Sequence, residues 1–517
     1  MRPSFPYKAL WLISLFHVLL LFGVAAHQRA PGYMDAAYYA VLGRRLAHGQ
    51  GLTEPFLWTY LNTPTPPPRP GHDYWMPLPS LLAALGTRLA FGYTDSYARA
   101  RFPFLLLALF IPAITGGLAH RWTRDPNVTI WAMVLSMTSG FFLAYLPAVD
   151  AFAPLMLLGA GYFLLLLHVP AHPWTVFFLG LTTGLIHLTR NEGPLWLIMA
   201  ALALGSIFRG NVLRTLFALG AGYLLAVLPW WTRNVVVFGS PVPTSLSRLL
   251  WLTHYNDLFL YPPQQLTFAR WWETGPRTWL TLWRQALSAN LQTTLAVQAE
   301  IAGFPWLLWG LWARRRDLLT RVWIGLYLGL LGTMTLLFPA PGARGGFFHA
   351  VAGLQPFTWV LIAQGMERFF AWGKVRRGWH LQQARWVLGG GLGVLMLALT
   401  LVVTSRRLRA WNGPEEAYTQ IAHVILQRLP DVPPCPILVN DPPSWTWGRP
   451  SWPALVVPSG GREAVALAAR EYRACLLLLE PNHPPELRDW YREPQDWGPF
   501  HYLTSYADTH IFVVETK

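Results

Sequence analysis

The stretch "PGYMDAAYYAVLGRRLAHGQGL" (residues 31–52) follows directly on the first apolar run of the chain, "ALWLISLFHVLLLFGVAA" (residues 9–26). The apolar run is long for the core of a signal peptide, and many apolar runs follow it, so we interpret it as the first membrane-spanning helix. Asp35 therefore comes just after that span, where membrane meets water. An aromatic-rich segment, which we predict to be helical, follows and ends in a Gly-rich turn. This acid needs an explanation, since only 25 of the 517 residues are acidic.

The composition is that of an integral membrane protein. Hydrophobic residues make up 53% of the chain and charged residues only 13%, about half the charged share of an ordinary soluble protein. The formal net charge is +15, but the Lys and Arg residues occur in short clusters between apolar runs. That pattern is typical of membrane topology signals and not of a nucleic-acid-binding surface. We therefore expect membrane lipids, and no nucleic acid, as partners.

The apolar runs predict a polytopic α-helical membrane protein with about eleven transmembrane helices. The runs lie near residues 8–27, 101–120, 128–146, 151–168, 174–189, 194–208, 214–231, 301–313, 320–338, 348–371 and 385–404. Basic connections then fall on one side, at residues 120–124, 208–214, 313–317 and 373–377. By the positive-inside rule this predicts a multi-pass protein of the cell (plasma) membrane with a cytoplasmic N-terminus.

Two long loops are predicted on the outer side, at residues 28–100 and 232–300. The Pro-rich residues 53–80 predict extended or turn-forming chain and no helix. Residues 77–92 are apolar but short, so we expect an interfacial helix there. Trp and Arg residues at helical spacing in "RWWETGPRTWLTLWRQAL" (residues 270–287) predict another helix in the membrane interface.

The composition changes near residue 405, which divides the chain into a transmembrane domain (1–405) and a small extracytoplasmic α/β domain (406–517). Short apolar runs at 436–440, 454–458, 475–480 and 510–515 predict strands, and residues 462–472 predict a helix between two of them. Cys435 and Cys475 each begin a predicted strand. They could form a disulfide if those strands are neighbours, or remain two buried thiols.

Unusual polar residues collect at the outer ends of the predicted spans. Such residues beside a membrane are costly and point to function. The candidate site residues are Asp35, Tyr38, His72, Asp73, Asp150, Arg190, Glu192, Arg344 and His349.

Seven of these residues also have a structural explanation. Asp35 and Asp150 could cap helices, and Arg190 and Glu192 could form a local ion pair. Arg344 could anchor a phospholipid headgroup, and His349 could be an interfacial histidine satisfied by its neighbours. Tyr38 could belong to an aromatic belt at the membrane surface.

The set as a whole suits chemistry on a lipid-linked substrate. A carboxylate can act as general base on a hydroxyl or amine, and an interfacial Arg suits a lipid phosphate. A transporter would instead be expected to carry charges or broken helices at the membrane midplane.

The residues that follow the first span also resemble a known family. The segment "YMDAAYYAVLGRRLAHGQGL" (33–52) resembles the first outer loop of the GT-C superfamily of glycosyltransferases, in particular its protein O-mannosyltransferase and aminoarabinose-transferase branch. The matching positions are Asp35, Tyr38 or Tyr39, Gly49, Gly51 and Leu52. Residues 72–85, 147–166, 188–197 and 344–357 resemble later segments of the family.

The resemblance implies that a sugar is transferred from a polyprenyl-phosphate donor on the outer face, with inversion at the anomeric carbon. It would make Asp35 the general base and Arg344 a ligand of the lipid phosphate. We further predict that Arg190, Glu192 and Arg344 line the donor site, and that substrate is bound or oriented by Asp73, Asp150, Tyr38, His72 and His349. Many relatives have Asp-Glu where this chain has Met34-Asp35, and some have a Lys where it has Met76. We expect no cofactor and no metal, although Asp35, Asp73 and Asp150 could converge on one.

The expected partners are a polyprenyl-phosphate sugar and a lipid, glycan or protein acceptor. The alternative function is a transporter or flippase of lipid-linked sugars that leaves the glycosidic bond intact. A further alternative is a membrane scaffold whose outer domain binds a partner.

Overall fold

The fold is predominantly helical. The computed structural model describes residues 4–62, 64–89, 96–169, 174–243 and 245–515. The helices of the first half are α1 (Tyr7–His27), α2 (Met34–Ala47), α3 (Leu78–Leu89), α4 (Ser96–Leu109), α5 (Ile111–Thr123), α6 (Pro126–Thr138), α7 (Phe152–His168), α8 (Trp174–Thr189), α9 (Gly193–Ile207), α10 (Val212–Phe238) and α11 (Ser245–Arg248). Those of the second half are α12 (Phe268–Glu273), α13 (Gly275–Thr293), α14 (Phe304–Ala313), α15 (Leu318–Gly332), α16 (Pro339–Pro341), α17 (Phe347–Ala350), α18 (Gln355–Arg377), α19 (Leu381–Ala384), α20 (Gly390–Arg428), α21 (Pro442–Gly448), α22 (Arg462–Glu471) and α23 (Arg488–Arg492).

A helix lies at each of the eleven predicted spans, but the number of spans is not confirmed. Among the described residues, six helices or runs of helices are long and apolar enough to cross a membrane. They are 7–27, 96–123, 212–238, 318–337, 339–377 and 381–428. Four other apolar helices, α3, α7, α8 and α9, have only 10–17 residues, which is shorter than a straight span requires.

Small residues allow the bundle helices to approach closely. Gly310 on α14 faces the backbone carbonyl of Leu361, and Gly365 on α18 faces that of Trp306. A methyl group at either glycine would overlap the facing carbonyl. Contacts of this kind are typical of helix packing in membranes, where lipid supplies no hydrophobic drive between helices.

The first outer loop has the predicted extended character among its described residues from 53 to 77, whereas residues 78–80 of the predicted stretch belong to α3. Among its described residues it contains the short strands β1 (Thr53–Glu54), β2 (Phe56–Leu57) and β3 (Arg69–Pro70), and β1 pairs with β3. The predicted helix at 77–92 is present as α3, which packs against α2, with Gly43 close to Ala83. Residues 90–92 lie outside the described part of the chain.

The C-terminal sheet contains the four predicted strands and two that were not predicted. Its strands are β4 (Ile437–Val439), β5 (Ala454–Val456), β6 (Leu476–Leu479), β7 (Phe500–Tyr506) and β8 (Thr509–Val514), and β2 of the first outer loop joins them. The strand order is β2-β5-β4-β6-β8-β7, parallel from β2 to β6 and antiparallel from β6 to β7. The last part of the chain therefore shares its sheet with the first loop.

The predicted boundary near residue 405 falls inside a single helix. The helix α20 continues from Gly390 to Arg428 and includes Pro414, so no flexible linker separates the two regions. The disulfide alternative is the one observed. Cys435 and Cys475 are bonded, because β4 and β6 are parallel neighbours that bring their Cα atoms to 6.0 Å.

Candidate active site

Three of the predicted residues meet at one end of the helix bundle. His349 Nε2 lies 3.2 Å from Asp150 Oδ2 and 3.6 Å from Asp35 Oδ2. The Asp150 side chain is almost fully buried, whereas that of Asp35 is 27% exposed. Asp35 is therefore the accessible carboxylate of the pair, and Asp150 is the enclosed one.

Hydrogen bonds fix the buried part of this cluster. The Tyr33 hydroxyl donates to Asp150 Oδ2 over 2.8 Å, and the backbone N–H of Ala151 donates to Asp150 Oδ1 over 2.6 Å. His349 Nδ1 is 2.9 Å from the carbonyl oxygen of Gly345. Gly345 has φ of +119°, a backbone conformation that favours glycine. The orientation of His349 thus depends on a glycine four residues earlier.

Each residue of the cluster comes from the end of a helix. Asp35 lies in the first turn of α2, Asp150 two residues before α7, and His349 in α17. A Cβ atom at Gly32 would overlap the Trp411 side chain of α20, so glycine allows the chain between α1 and α2 to pass beneath that ring. The same approach brings the ring centres of Tyr33 and Trp411 to 5.0 Å from each other.

The two carboxylates have pKa values shifted in opposite directions. Burial raises the pKa of Asp35 to about 6; the charge of His349 opposes this shift and that of Asp150 adds to it. Burial also raises the pKa of Asp150, but the charge of His349 and hydrogen bonds from His349, Ala151 and Tyr33 outweigh it, so the net shift is downward. Such a separation is typical of paired carboxylates with different chemical roles.

The helix-cap explanation does not account for Asp35. The N-cap position of α2 is Tyr33, and no side chain there accepts a capping hydrogen bond. The Asp150 carboxylate does accept from the first N–H that follows it, Ala151, but its other oxygen is directed at Tyr33 and His349.

Two predicted arginines have defined partners near the cluster. Arg190 forms an ion pair with Glu192 at 2.7 Å, which is the local pairing that the sequence allowed, and its charge also lowers the pKa of Asp35. The guanidinium carbon of Arg344 lies 4.9 Å from the ring centre of Tyr255. Burial and then the charge of Asp35 raise the pKa of Tyr255 to about 12, while Arg344 opposes the shift. Tyr255 is therefore an electrostatic neighbour of both Asp35 and Arg344.

Tyr38, His72 and Asp73 belong to a separate buried cluster in the first outer loop. Arg69 donates both terminal nitrogens to Asp73 Oδ2 at 3.1 Å and forms an ion pair with Glu54 at 2.9 Å. The Tyr38 hydroxyl donates to Glu54 Oε1 over 2.5 Å and accepts from the backbone N–H of His72. Among the described residues, the group of possible metal ligands around Asp35 and Asp150 includes His349 and not Asp73.

The burial of this second cluster indicates a structural part for it. All five side chains are at most 4% exposed. Burial lowers the pKa of His72 to about 3, so the imidazole is neutral, and raises that of Glu54 to about 7. The assignment of Tyr38, His72 and Asp73 to substrate binding stays a prediction.

Asp35, Asp150 and His349 also have the composition of a metal site. One ligand atom from each lies within 4.8 Å of the others, and imidazole with carboxylates suits a divalent transition metal. The bond from His349 Nδ1 to a backbone carbonyl would leave Nε2 for the metal, as in many metal-binding histidines. The residues therefore fit such an ion when His349 is neutral.

Sequence reasoning missed four residues of these clusters: Tyr33, Glu54, Arg69 and Tyr255. Tyr33 lies two residues before Asp35 in the opening motif, which was a usable signal. Glu54 and Arg69 are distant partners within a Pro-rich loop, and no periodic pattern links them.

Comparison with solved structures identifies the fold. The apo oligosaccharyltransferase of Archaeoglobus fulgidus matches with a TM-score of 0.59 and 12% identity, over 92% of this chain and 69% of that chain. ArnT from Cupriavidus metallidurans bound to undecaprenyl phosphate matches with a TM-score of 0.57 and 13% identity, over 98% of both chains. These two are GT-C glycosyltransferases. The chain has a GT-C-like fold.

The resemblance to GT-C glycosyltransferases is confirmed at the level of the fold. The protein O-mannosyltransferase and aminoarabinose-transferase branch is not confirmed, because the two neighbours match almost equally well. The archaeal oligosaccharyltransferase AglB in complex with an inhibitory peptide and a dolichol-phosphate matches with a TM-score of 0.58 and 12% identity, over 91% of this chain and 69% of that chain. No protein-family model and no curated protein sequence matches the chain.

Proposed function

We propose that this protein is a membrane glycosyltransferase that moves a sugar from a polyprenyl-phosphate donor to an acceptor, with inversion of the anomeric carbon. The observation that carries the proposal is the pair of carboxylates around His349, in which Asp35 is accessible and Asp150 is buried. The GT-C-like fold supports it, and so do the dolichol-phosphate and undecaprenyl phosphate in two of the matching structures.

In the proposed reaction Asp35 is the general base. Its carboxylate takes the proton of an acceptor hydroxyl or amine while that atom bonds to the anomeric carbon. The bond from the anomeric carbon to the phosphate oxygen breaks at the same time, and a single displacement of this kind inverts the carbon. A pKa of about 6 suits a base that works near neutral pH.

The leaving polyprenyl phosphate carries the negative charge that the reaction creates. Arg190 acts electrostatically on Asp35, and Arg344 lies against Tyr255, on which Asp35 also acts. A guanidinium binds phosphate through paired N–H donors. We assign Arg344 to the phosphate. Arg190 is already paired with Glu192, so we assign this pair to shaping the donor site.

We also propose that the base works without a metal. His349 has acceptors at both ring nitrogens, Gly345 O at one and Asp150 at the other, and an imidazolium satisfies both with N–H donors. It would supply the positive charge between the two carboxylates. If Asp35, Asp150 and His349 held a divalent metal instead, the ion would act as a Lewis acid.

The proposed location is the cell membrane, with the N-terminus in the cytoplasm and the C-terminal sheet and the site outside. The disulfide between Cys435 and Cys475 supports this orientation, because disulfides persist in oxidising compartments. Selective labelling of single introduced cysteines by a membrane-impermeant maleimide, at residue 315 for the inside and residue 508 for the outside, tests it.

The function is tested with purified protein in nanodiscs and a panel of radiolabelled polyprenyl-phosphate sugars. Wild type should release or transfer the label. Asp35→Asn should slow this by about 10²–10⁴-fold, the usual contribution of a general base. Asp508→Asn, on an exposed hairpin of the C-terminal sheet, is the matched control and should keep full turnover.

Two results would contradict parts of the proposal. If label crosses a liposome membrane still attached to its lipid and no bond is broken, the protein is a flippase. If EDTA abolishes turnover and Mn²⁺ or Zn²⁺ restores it, the metal-free base is wrong, although the glycosyltransferase assignment stands.

A further inference from the structure

A small basic cleft lies at the other end of the helix that carries Asp35. It has a volume of about 280 Å³ and lies between the end of α2 and the α21 region of the C-terminal part. Its lining residues are Val41, Arg44, Arg45, His48, Gln50, Pro55, Thr446 and Pro450. These eight residues include two arginines and a histidine and no carboxylate, so the cleft favours an anion.

Arg44 is held in a fixed position at this cleft. Its terminal nitrogens donate to the carbonyl oxygens of Trp447 and Thr446, at 3.1 and 3.4 Å, and its guanidinium carbon lies 4.4 Å from the Trp447 ring centre. A guanidinium has five N–H donors, so the two bonds leave others for a ligand. Glu415 acts on Arg44 electrostatically, but it does not line the cleft, and the ion pairs among the described residues do not include it.

Arg45 and His48 are oriented by bonds that use only part of their donors. Arg45 donates Nε to the hydroxyl of Thr53 over 2.9 Å, which leaves its terminal nitrogens for another partner. His48 Nδ1 is 2.7 Å from the carbonyl oxygen of Arg44, so Nε2 is the nitrogen that remains. The bonds of Arg44 to α21 could serve only to hold α2 against α21. The described hydrogen bonds of Arg45 and His48 are to Thr53 and Arg44 and not to α21. The cleft therefore carries more positive charge than the packing of α2 requires.

The size and position of the cleft indicate what kind of ligand fits it. Its volume is at the lower limit of the roughly 300–1,000 Å³ of ordinary ligand pockets, which suits a single anionic group. Arg44 follows Asp35 by nine positions, or two and a half turns of α2, which is about 14 Å along the axis at 1.5 Å per residue. A molecule that presents its nucleophile to Asp35 could place an acidic group in the cleft.

We propose that this cleft binds a phosphate or carboxylate group of an acidic acceptor. The identification of the ligand as an acceptor rests on the proposed glycosyl transfer, whereas the binding of an anion does not. The acidic group could belong to a soluble glycan or to a lipid headgroup, since both present the same chemistry.

The first experiment measures binding of inorganic phosphate to the full chain in nanodiscs of neutral lipid, by titration calorimetry. Arg45→Gln/His48→Gln should weaken saturable binding at least tenfold. The control Arg470→Gln/Arg488→Gln removes exposed charges elsewhere in the C-terminal part and should leave it unchanged. Arg344→Gln should keep the cleft site, which separates it from the proposed donor-phosphate site. His48→Gln alone, at an exposed position, provides a milder variant if the double variant is unstable.

Equal phosphate binding by wild type and by the Arg45/His48 variant, or no saturable binding by wild type, would overturn the proposal. Nanodiscs that contain a phosphate-monoester lipid distinguish the two sources of the anion. If that lipid competes with inorganic phosphate for the cleft, the ligand is a lipid headgroup. If phosphate binding is undiminished, the ligand belongs to a soluble acceptor. Turnover of the donor is measured on the same samples. If phosphate still binds but no donor is turned over, the glycosyltransferase proposal is rejected and the anion site stands.

Discussion

At the scale of single residues, Asp35 and Asp150 show how two identical side chains acquire different properties. Asp150 is enclosed by donors, which keep it ionised. Asp35 is partly exposed beside His349 and Asp150, and burial raises its pKa to about 6. The sequence indicated both positions, because acids beside a span are rare. It could not indicate that His349, nearly two hundred residues from Asp150, would bridge them.

The pH dependence of turnover should follow Asp35. A base must be ionised to accept a proton, so the rate should fall as pH decreases through about 6. In His349→Gln the cation that opposes the upward shift is lost, so the pKa of Asp35 rises further and the acidic limb moves to higher pH. A pH profile of kcat/KM for both proteins measures this.

The pH profile of kcat/KM is controlled by a measurement of protein stability. Thermal unfolding over the same pH range should show that both proteins stay folded where the rate falls. An acidic limb at the same pH in wild type and His349→Gln would mean that Asp35 is not the titrating group.

Arg69 offers a second prediction at this scale. Arg69→Gln leaves Glu54 and Asp73 buried without their cation, and loss of one partner of a buried ion pair costs roughly 3–5 kcal/mol. We expect a large fall in the unfolding temperature. The control is Arg45→Gln, on the same loop–helix surface but only half-buried; an equal loss of stability in both variants would argue against a special contribution from the buried cluster.

At the scale of elements, helix positions were predictable because a run of apolar residues and its flanking charges are local features. The lengths of the helices were less predictable than their positions. The run at 128–146 forms α6 only as far as Thr138, where Ser139 and Gly140 adopt positive φ and the helix ends. The strand β2 was missed because two residues carry no periodic pattern, and its pairing partner lies almost four hundred residues away.

The crossing of α14 and α18 should be sensitive to small additions. Gly310→Ala would push a methyl group into the backbone of α18, and overpacking of this kind costs about 1–3 kcal/mol. Gly205→Ala on α9, where an added Cβ would meet nothing within 4 Å, is the control. Unfolding temperatures in detergent compare the two, and equal values would contradict the close crossing.

At the scale of the whole molecule, the outer loop and the C-terminal part form one structure. The strand β2 pairs with β5, α2 packs along α21, and the Tyr472 hydroxyl donates to the carbonyl oxygen of Pro64. Composition marked a change of character near residue 405, but composition carries no information about contacts between the two ends of the chain.

Removal of residues 429–517 should therefore disable more than the C-terminal part. We expect the truncated chain to lose donor turnover and to become sensitive to protease within residues 53–62, since β2 would lack its partner. Expression of residues 429–517 as a separate chain is the complement that should restore protection if it reaches the same side of the membrane. Full turnover by the truncated chain would show that α2 is positioned without the sheet.

The pairing of β2 with β5 also sets an order of events during biosynthesis. Residues Phe56 and Leu57 leave the ribosome early, and their partners Ala454 and Leu455 are translated roughly 20–80 s later at about 5–20 residues per second. Until then β2, in the same outer loop as Asp35, lacks its pairing with β5. A ribosome that stops early consequently leaves an inserted but incomplete protein, and the proposed turnover of a lipid-linked sugar would begin only when translation is nearly finished.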